Sequence, residues 1–178
     1  AEDPAFLQYT GGTTGRAKGE MLTQRNVLAN IAQVNAWFSP ITNRGEEIII
    51  TALPLYHIYA LTGNCLAFLA QGGLNYMITD PRNLKTFIKE LGRVPFTTIS
   101  GVNTLFNALL HQEDFAKVDF SGLKFTSGGG SAVQRAVAER WPQVTGSVIA
   151  EGYGLTESSP VVPANRYDTS EFTGCIGL

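Results

Sequence analysis

Three consecutive isoleucines, Ile48-Ile49-Ile50, narrow the choice of fold more than any other stretch of this chain. A continuous β-branched run has no polar face to give to water. It suits a strand covered on both sides, as in a parallel sheet. Further short apolar runs at 5–7, 74–79, 96–100, 123–127 and 148–151 also read as strands, with the isoleucines inside 47–52. Helical patterns lie between them. Val27, Ile31, Val34 and Phe38 share a face of a helix over 23–38, with Thr23 as N-cap and Ser39-Pro40 as the stop. An apolar helix runs on from Tyr59 to about Ala70, where Gly72-Gly73 breaks it. Asn83 caps a helix carrying Leu84, Phe87, Ile88 and Leu91, ended by Gly92. Val102, Leu105, Phe106 and Leu109 mark another. A last helix carries Val133, Val137, Trp141 and Val144, and Pro142 is expected to bend or end it. Alternating strands and helices pair in parallel through right-handed crossovers. The expected fold class is α/β, a mostly parallel sheet with helices on both faces.

The chain has 178 residues, 44% of them hydrophobic, enough for one domain with a real core and too apolar for disorder. A formal net charge of -2 gives no electrostatic case for nucleic acid as a partner. No apolar run approaches the length of a membrane span. Cys65 and Cys175 stand far apart, so neither a disulfide framework nor a zinc site is expected. A reducing, cytoplasmic setting follows as the expectation. The chain opens at Ala1 just ahead of a strand and stops at Gly177-Leu178 after an apolar-glycine stretch. Natural ends are usually frayed and polar, so residues 1–178 are expected to be a piece of a larger protein, a single partial domain.

The chemistry is concentrated in Tyr9-Thr10-Gly11-Gly12-Thr13-Thr14-Gly15-Arg16-Ala17-Lys18-Gly19. Glycines let consecutive N–H groups converge, and a concave set of N–H groups is an anion site. The threonines add hydroxyl donors and Lys18 adds a mobile positive charge. The stretch reads as a cradle for a polyphosphate; a plain surface loop would leave Lys18 unexplained. It fits neither the Walker A spacing nor the dinucleotide fingerprint, which sets a P-loop NTPase aside.

At this length the stretch resembles the phosphate loop of adenylate-forming enzymes: acyl-CoA synthetases, firefly luciferase and the adenylation domains of peptide synthetases. It departs at Ala17, where many members have proline, and so gives up some preorganisation. Glu151-Gly152-Tyr153-Gly154-Leu155-Thr156-Glu157 resembles the family's adenine- and metal-binding segment. A tyrosine between glycines offers an open face for stacking on a purine. Thr156 offers a hydroxyl to the α-phosphate, and Glu157 is a hard oxygen ligand suited to Mg²⁺. Ser127-Gly128-Gly129-Gly130-Ser131-Ala132 resembles the segment that approaches adenine and the acyl carboxylate. A serine-hydrolase elbow fails there, because Val133 stands where glycine is required. The run Pro54-Leu55-Tyr56-His57 resembles the segment whose histidine lies beside the substrate carboxylate. Positioning is its expected role, since a carboxylate is already ionised at neutral pH. His111 reads as a surface residue. Periodicity alone makes 101–110 an ordinary core helix. Resemblance to long-chain fatty acyl-CoA synthetases instead puts Gly101 and Val102, with His57, Gly128 and Gly129, on the acyl site.

The resemblance covers the whole chain and implies a reaction. A fatty acid carboxylate attacks the α-phosphate of ATP, giving acyl-AMP and pyrophosphate, and the thiol of coenzyme A then displaces AMP. Mg²⁺ would be held by Glu157 with Thr10. The implied nucleotide site comprises Tyr9, Thr10, Gly11, Gly12, Thr13, Thr14, Gly15, Lys18, Gly129, Gly130, Ser131, Glu151, Gly152, Tyr153, Gly154 and Thr156. Lys18, His57, Thr156 and Glu157 carry the catalytic expectations. The family's ribose-binding Asp motif, hinge and carboxy-terminal lysine have no match here, so negligible ligase activity is expected of these residues alone. Activation of an aryl or amino acid, or noncatalytic nucleotide binding, stay open as alternatives. Peripheral membrane contact and oligomeric state stay open too.

Overall fold

In the computed structural model, residues 2–10 and 17–177 are described. Two strands, β1 (Pro4–Thr10) and β2 (Lys18–Thr23), form an antiparallel ribbon in which Thr10 lies opposite Lys18. Helix α1 (Gln24–Phe38) follows directly. The main sheet comprises β3 (Ile48–Thr51), β4 (Leu74–Met77), β5 (Thr98–Gly101), β6 (Phe125–Gly128), β7 (Ile149–Gly154) and β8 (Val161–Ala164), in the order β4-β3-β5-β6-β7-β8. All its pairings are parallel except β7 with β8. A π-helix over Tyr59–Leu66 runs into the short α2 (Ala67–Ala70). Helices α3 (Leu84–Leu91), α4 (Asn103–Leu110) and α5 (Arg135–Thr145) complete the chain.

The sheet divides its side chains as a doubly covered strand must. Ile50 and Ile99 enter a core with Phe87, Leu109, Val137 and Trp141, from α3, α4 and α5. Phe106 and Phe115 meet Trp141 at ring-centroid distances of 4.7 and 5.3 Å. Ile49 points to the other face, where α1, the π-helix and α2 leave an internal cavity. The helices therefore cover both faces, and the expected α/β class is what the fold has.

Local capping chemistry sets several boundaries. The Thr23 hydroxyl accepts the Asn26 N–H at 3.2 Å, and the Asn26 side chain accepts the Thr23 N–H at 3.1 Å. This is a reciprocal capping box with asparagine at its third position. Thr23→Ala is expected to cost about 1 kcal/mol in urea unfolding; no loss would mean the helix end is held from elsewhere. Asn83 caps α3 by accepting the Thr86 N–H at 3.1 Å.

Four expectations need correcting. Residues 18–23 are a strand, not loop running into helix. The chain does not end its strands at Glu151: β7 reaches Gly154 and β8 turns back along it. The helix after Tyr59 opens as a π-helix. Of the two outcomes expected at Pro142, an end is not what occurs: α5 runs to Thr145 before Gly146 ends it at φ 74°. Beyond the proline, the Thr145 hydroxyl donates back to the Trp141 carbonyl at 3.0 Å and supports the last turn. Among the described residues, no helix is long and apolar enough to cross a membrane.

Candidate active site

A cavity of about 560 Å³ opens at the carboxyl ends of β6 and β7, under the ribbon of β1 and β2. Ligands of open α/β sheets bind at this end of the strands. Its outer part is polar: exposed Lys18 from β2, His57, Tyr153 from β7 and Glu157, with half-buried Thr10 from β1 and Thr156 from the turn that follows β7. Its inner part is apolar, with Phe38 from α1, Phe68 from α2, Ile49 from β3 and Phe125 from β6. The Phe38 and Phe125 rings lie 4.5 Å apart. A buried polar pair beside this wall is satisfied, with Asn64 Nδ2 donating to Ser100 Oγ at 2.6 Å.

Each polar group is placed by its own element. The antiparallel register sets Lys18 across from Thr10, so both reach the same opening. His57 closes a turn in which its N–H donates to the Pro54 carbonyl at 3.0 Å. Gln8 on β1 donates to the Tyr56 carbonyl at 2.5 Å and ties that turn to the ribbon. His57 Nδ1 accepts the Tyr59 N–H at 3.2 Å, which leaves Nε2 as the nitrogen able to carry a proton. Tyr153 and Glu157 stand on either side of Gly154, whose backbone passes close to Pro160 of the returning chain. A Cβ at Gly154 would collide with the Pro160 carbonyl. Gly154→Ala is therefore expected to destabilise by about 1–3 kcal/mol. Denaturant unfolding checks this, and unchanged stability would mean that the two segments part freely.

The sequence reading missed Tyr59. Its ring is held between two glycines: a Cβ at Gly129 would stand 3.1 Å from it, and one at Gly63 would stand 3.4 Å away. The phenol lies 2.8 Å from Ser127 Oγ, and burial pushes it up to about 12 despite that hydrogen bond. Tyr59 therefore stays a neutral hydrogen-bonding group in the cavity wall. Its position two residues after His57 was the available signal.

Of the expected site residues, the structure gathers Thr10, Lys18, His57, Gly128, Gly129, Gly130, Gly152, Tyr153, Gly154, Thr156 and Glu157 on this one cavity. Gly11, Gly12, Thr13, Thr14 and Gly15 lie outside the described residues. Five expectations do not reach the cavity wall. Gly101 sits under the Phe106 ring, which a Cβ would meet at 2.9 Å, so it is glycine for packing. Val102 instead precedes α4 as its N-cap residue. Ser131 is exposed beyond the glycine turn. Tyr9 points outward, its ring against Gly19. Glu151 is buried, and its carboxylate accepts the Val133 N–H at 3.0 Å, bracing the approach to α5. His111 is exposed, as expected.

A metal would find hard oxygen groups on this wall, the Thr10 hydroxyl and the Glu157 carboxylate among them. Among the described residues no cluster of three or more His, Cys, Asp or Glu is set to hold an ion. That donor set suits Mg²⁺, which takes one or two protein oxygens and completes its shell with phosphate and water.

The AMP-binding enzyme family matches residues 1–178. A long-chain-fatty-acid–CoA ligase of Escherichia coli O6:H1 is 58% identical over 177 residues, covering 99% of this chain and 32% of that protein. A long-chain-fatty-acid–CoA ligase of Bacillus subtilis is 34% identical, covering 98% of this chain and 31% of that protein. Among solved structures, ATP-bound MatB from Rhodopseudomonas palustris superposes with a TM-score of 0.84 at 28% identity, covering 99% of this chain and 34% of that one. The chain thus spans about a third of the length of the curated relatives it matches.

Proposed function

The chain belongs to the AMP-binding enzyme family, and from that premise we propose that it is the nucleotide-handling part of a long-chain fatty acid–CoA ligase. Residues 1–178 are read as one part of a single AMP-binding domain. The intact enzyme would convert a fatty acid and ATP into acyl-AMP and pyrophosphate, and then coenzyme A and acyl-AMP into acyl-CoA and AMP. The observation that carries this reading is one cavity with a cationic, hydroxyl-rich outer end and an apolar inner end.

The physical problem is to bring two anions together. Lys18, with the Thr10 and Thr156 hydroxyls, faces the phosphates and offsets their charge. Tyr153 offers its ring to adenine. Glu157 with Thr10 would hold Mg²⁺, which supplies Lewis-acid stabilisation to phosphate oxygens when bound. His57, fixed by Tyr59 and the Pro54 turn, orients the acyl carboxylate and accepts no proton from it. Gly128 and Gly129 let that carboxylate approach the backbone. The apolar walls of Phe38, Phe68 and Phe125 suit an alkyl chain and exclude water from the reacting groups. A reducing, cytoplasmic setting fits Cys65 and Cys175, both of which are free.

Carboxylate-dependent exchange of pyrophosphate into ATP tests this on the intact enzyme. Palmitate is expected to drive exchange, and ferulate and phenylalanine are not. Exchange driven only by an aryl or amino acid would replace the substrate class. Exchange with no acid, alongside ATP binding, would leave a noncatalytic nucleotide module.

A further inference from the structure

Glu157 borders two cavities. The second is a smaller polar one, which it shares with Ser158, Ser159 and the Arg25, Asn30 and Gln33 side of α1. Asn30 on that helix is only 4% exposed, an unusual burial for an amide on a helix edge. Its side chain makes two bonds to one backbone unit. Asn30 Nδ2 donates to the Val161 carbonyl at 2.9 Å, and the Val161 N–H donates to Asn30 Oδ1 at 3.2 Å. A neighbouring antiparallel strand would make the same pair of bonds. Val161 belongs to β8, the last strand of the sheet among the described residues. A side chain of α1 thus stands in for a missing strand. Gln33 Oε1 accepts from Asn30 Nδ2 at 3.3 Å and helps fix which way the amide faces.

The stretch between Glu157 and Val161 transmits position. Ser158 N–H donates to the Leu155 carbonyl at 3.0 Å, Ser159 N–H to the Thr156 carbonyl at 3.2 Å, and Leu155 N–H to the Pro160 carbonyl at 3.1 Å. Ser159, buried, adopts φ 75° to reverse the chain. This is a closed turn with little slack, held at one end by β7 and at the other by Asn30.

We propose that Asn30 is a positioning residue for the metal corner of the site: by clamping Val161 it fixes the Glu157 carboxylate with respect to Thr10 and Lys18. The inference rests on the nucleotide-binding reading above. Asn30 acts through the backbone of segment 156–161 and does not line the cleft itself. Trp37 supplies the control. It lies about two turns along the same helix and donates from Nε1 to the Asn165 carbonyl at 3.2 Å, holding the far end of β8.

Calorimetric ATP binding to the intact enzyme, with Mg²⁺ and then with EDTA, tests the clamp. Asn30→Ala is expected to weaken ATP binding about tenfold with Mg²⁺, as loss of an outer-shell support does. With EDTA it should weaken binding less than about twofold. Amide hydrogen exchange in 155–161 should speed up. Asn30→Asp keeps the shape and the acceptor but loses the donor. It should move both readouts in the same direction, and it decides the matter if the alanine variant does not fold. Trp37→Phe should move neither. Equal weakening with and without Mg²⁺, or Mg²⁺-dependent binding like that of the wild type, overturns the inference alone. A wild-type enzyme that binds no ATP overturns the functional reading along with it.

Discussion

Lys18→Ala in the intact enzyme is expected to slow acyl-adenylate formation about 100- to 1000-fold, the usual cost of removing one group that stabilises developing charge. Lys18 reaches the cavity from β2, and the antiparallel register sets it across from Thr10. No other lysine or arginine lines that cavity among the described residues. Lys18→Arg should rescue poorly, since a planar fork does not fill the place of a compact ammonium. Glu157→Ala should also slow the step, by about 100-fold at limiting Mg²⁺, with partial recovery as Mg²⁺ is raised. Single-turnover assays with palmitate and ATP separate the two patterns. Acyl-AMP formed at the wild-type rate by both variants would remove the assigned roles.

The largest expected effect on stability lies far from the cleft. Glu47, 1% exposed, meets Lys124 at 2.6 Å and accepts the Asn43 N–H at 2.7 Å. Burial pushes its carboxyl up, but the bonds from Lys124, Thr97 and Asn43 and the lysine charge outweigh this and hold it below the usual 4.5. Lys124→Ala removes the main partner and leaves the charge buried. The expected loss is about 3 kcal/mol, at the low end for a broken buried pair because the lysine end is 35% exposed. The sign with pH follows from linkage. A lowered folded-state value gives stability that is present above about 4.5 and lost as pH falls through that folded value. In the variant the lysine's bond and charge are gone, so the folded-state value lies above that of the wild type and the carboxyl protonates sooner as pH falls. The gap between the two proteins should therefore narrow from about pH 7 to about pH 4 in urea unfolding. A gap that stays constant would show that Glu47 is not the group left exposed to the loss.

Sequence pattern made the parallel sheet legible because its signals are local. Ile48-Ile49-Ile50 must be covered twice, and a glycine turn follows β6, where Gly130 takes a positive φ. Two strands carried weak local signals. In β2 the one fully buried residue, Leu22, neighbours the exposed Met21, so six residues show little alternation. In β8 Pro163 argues against a strand, and it is tolerated because an edge strand leaves one side unpaired. The candidate site divided in the same way. Lys18, Tyr153 and Glu157 announce themselves by chemistry within short motifs. Tyr59 depends on Ser127, 68 residues away, and Asn30 depends on Val161, 131 residues away. Such pairings leave no mark on local periodicity. Gly101 and Glu151 show the converse: motif membership placed them at the ligand, while packing against Phe106 and bonding to Val133 turns them to support.

A single nucleotide must reach Lys18 near the start of the chain and both Tyr153 and Glu157 near its end. A crystal structure of the intact enzyme with Mg²⁺ and α,β-methylene ATP tests that most directly. It should place phosphate oxygens on Lys18, the metal on Glu157 and the adenine ring against Tyr153. Nucleotide bound in any position from which these three side chains cannot all touch it would contradict the account.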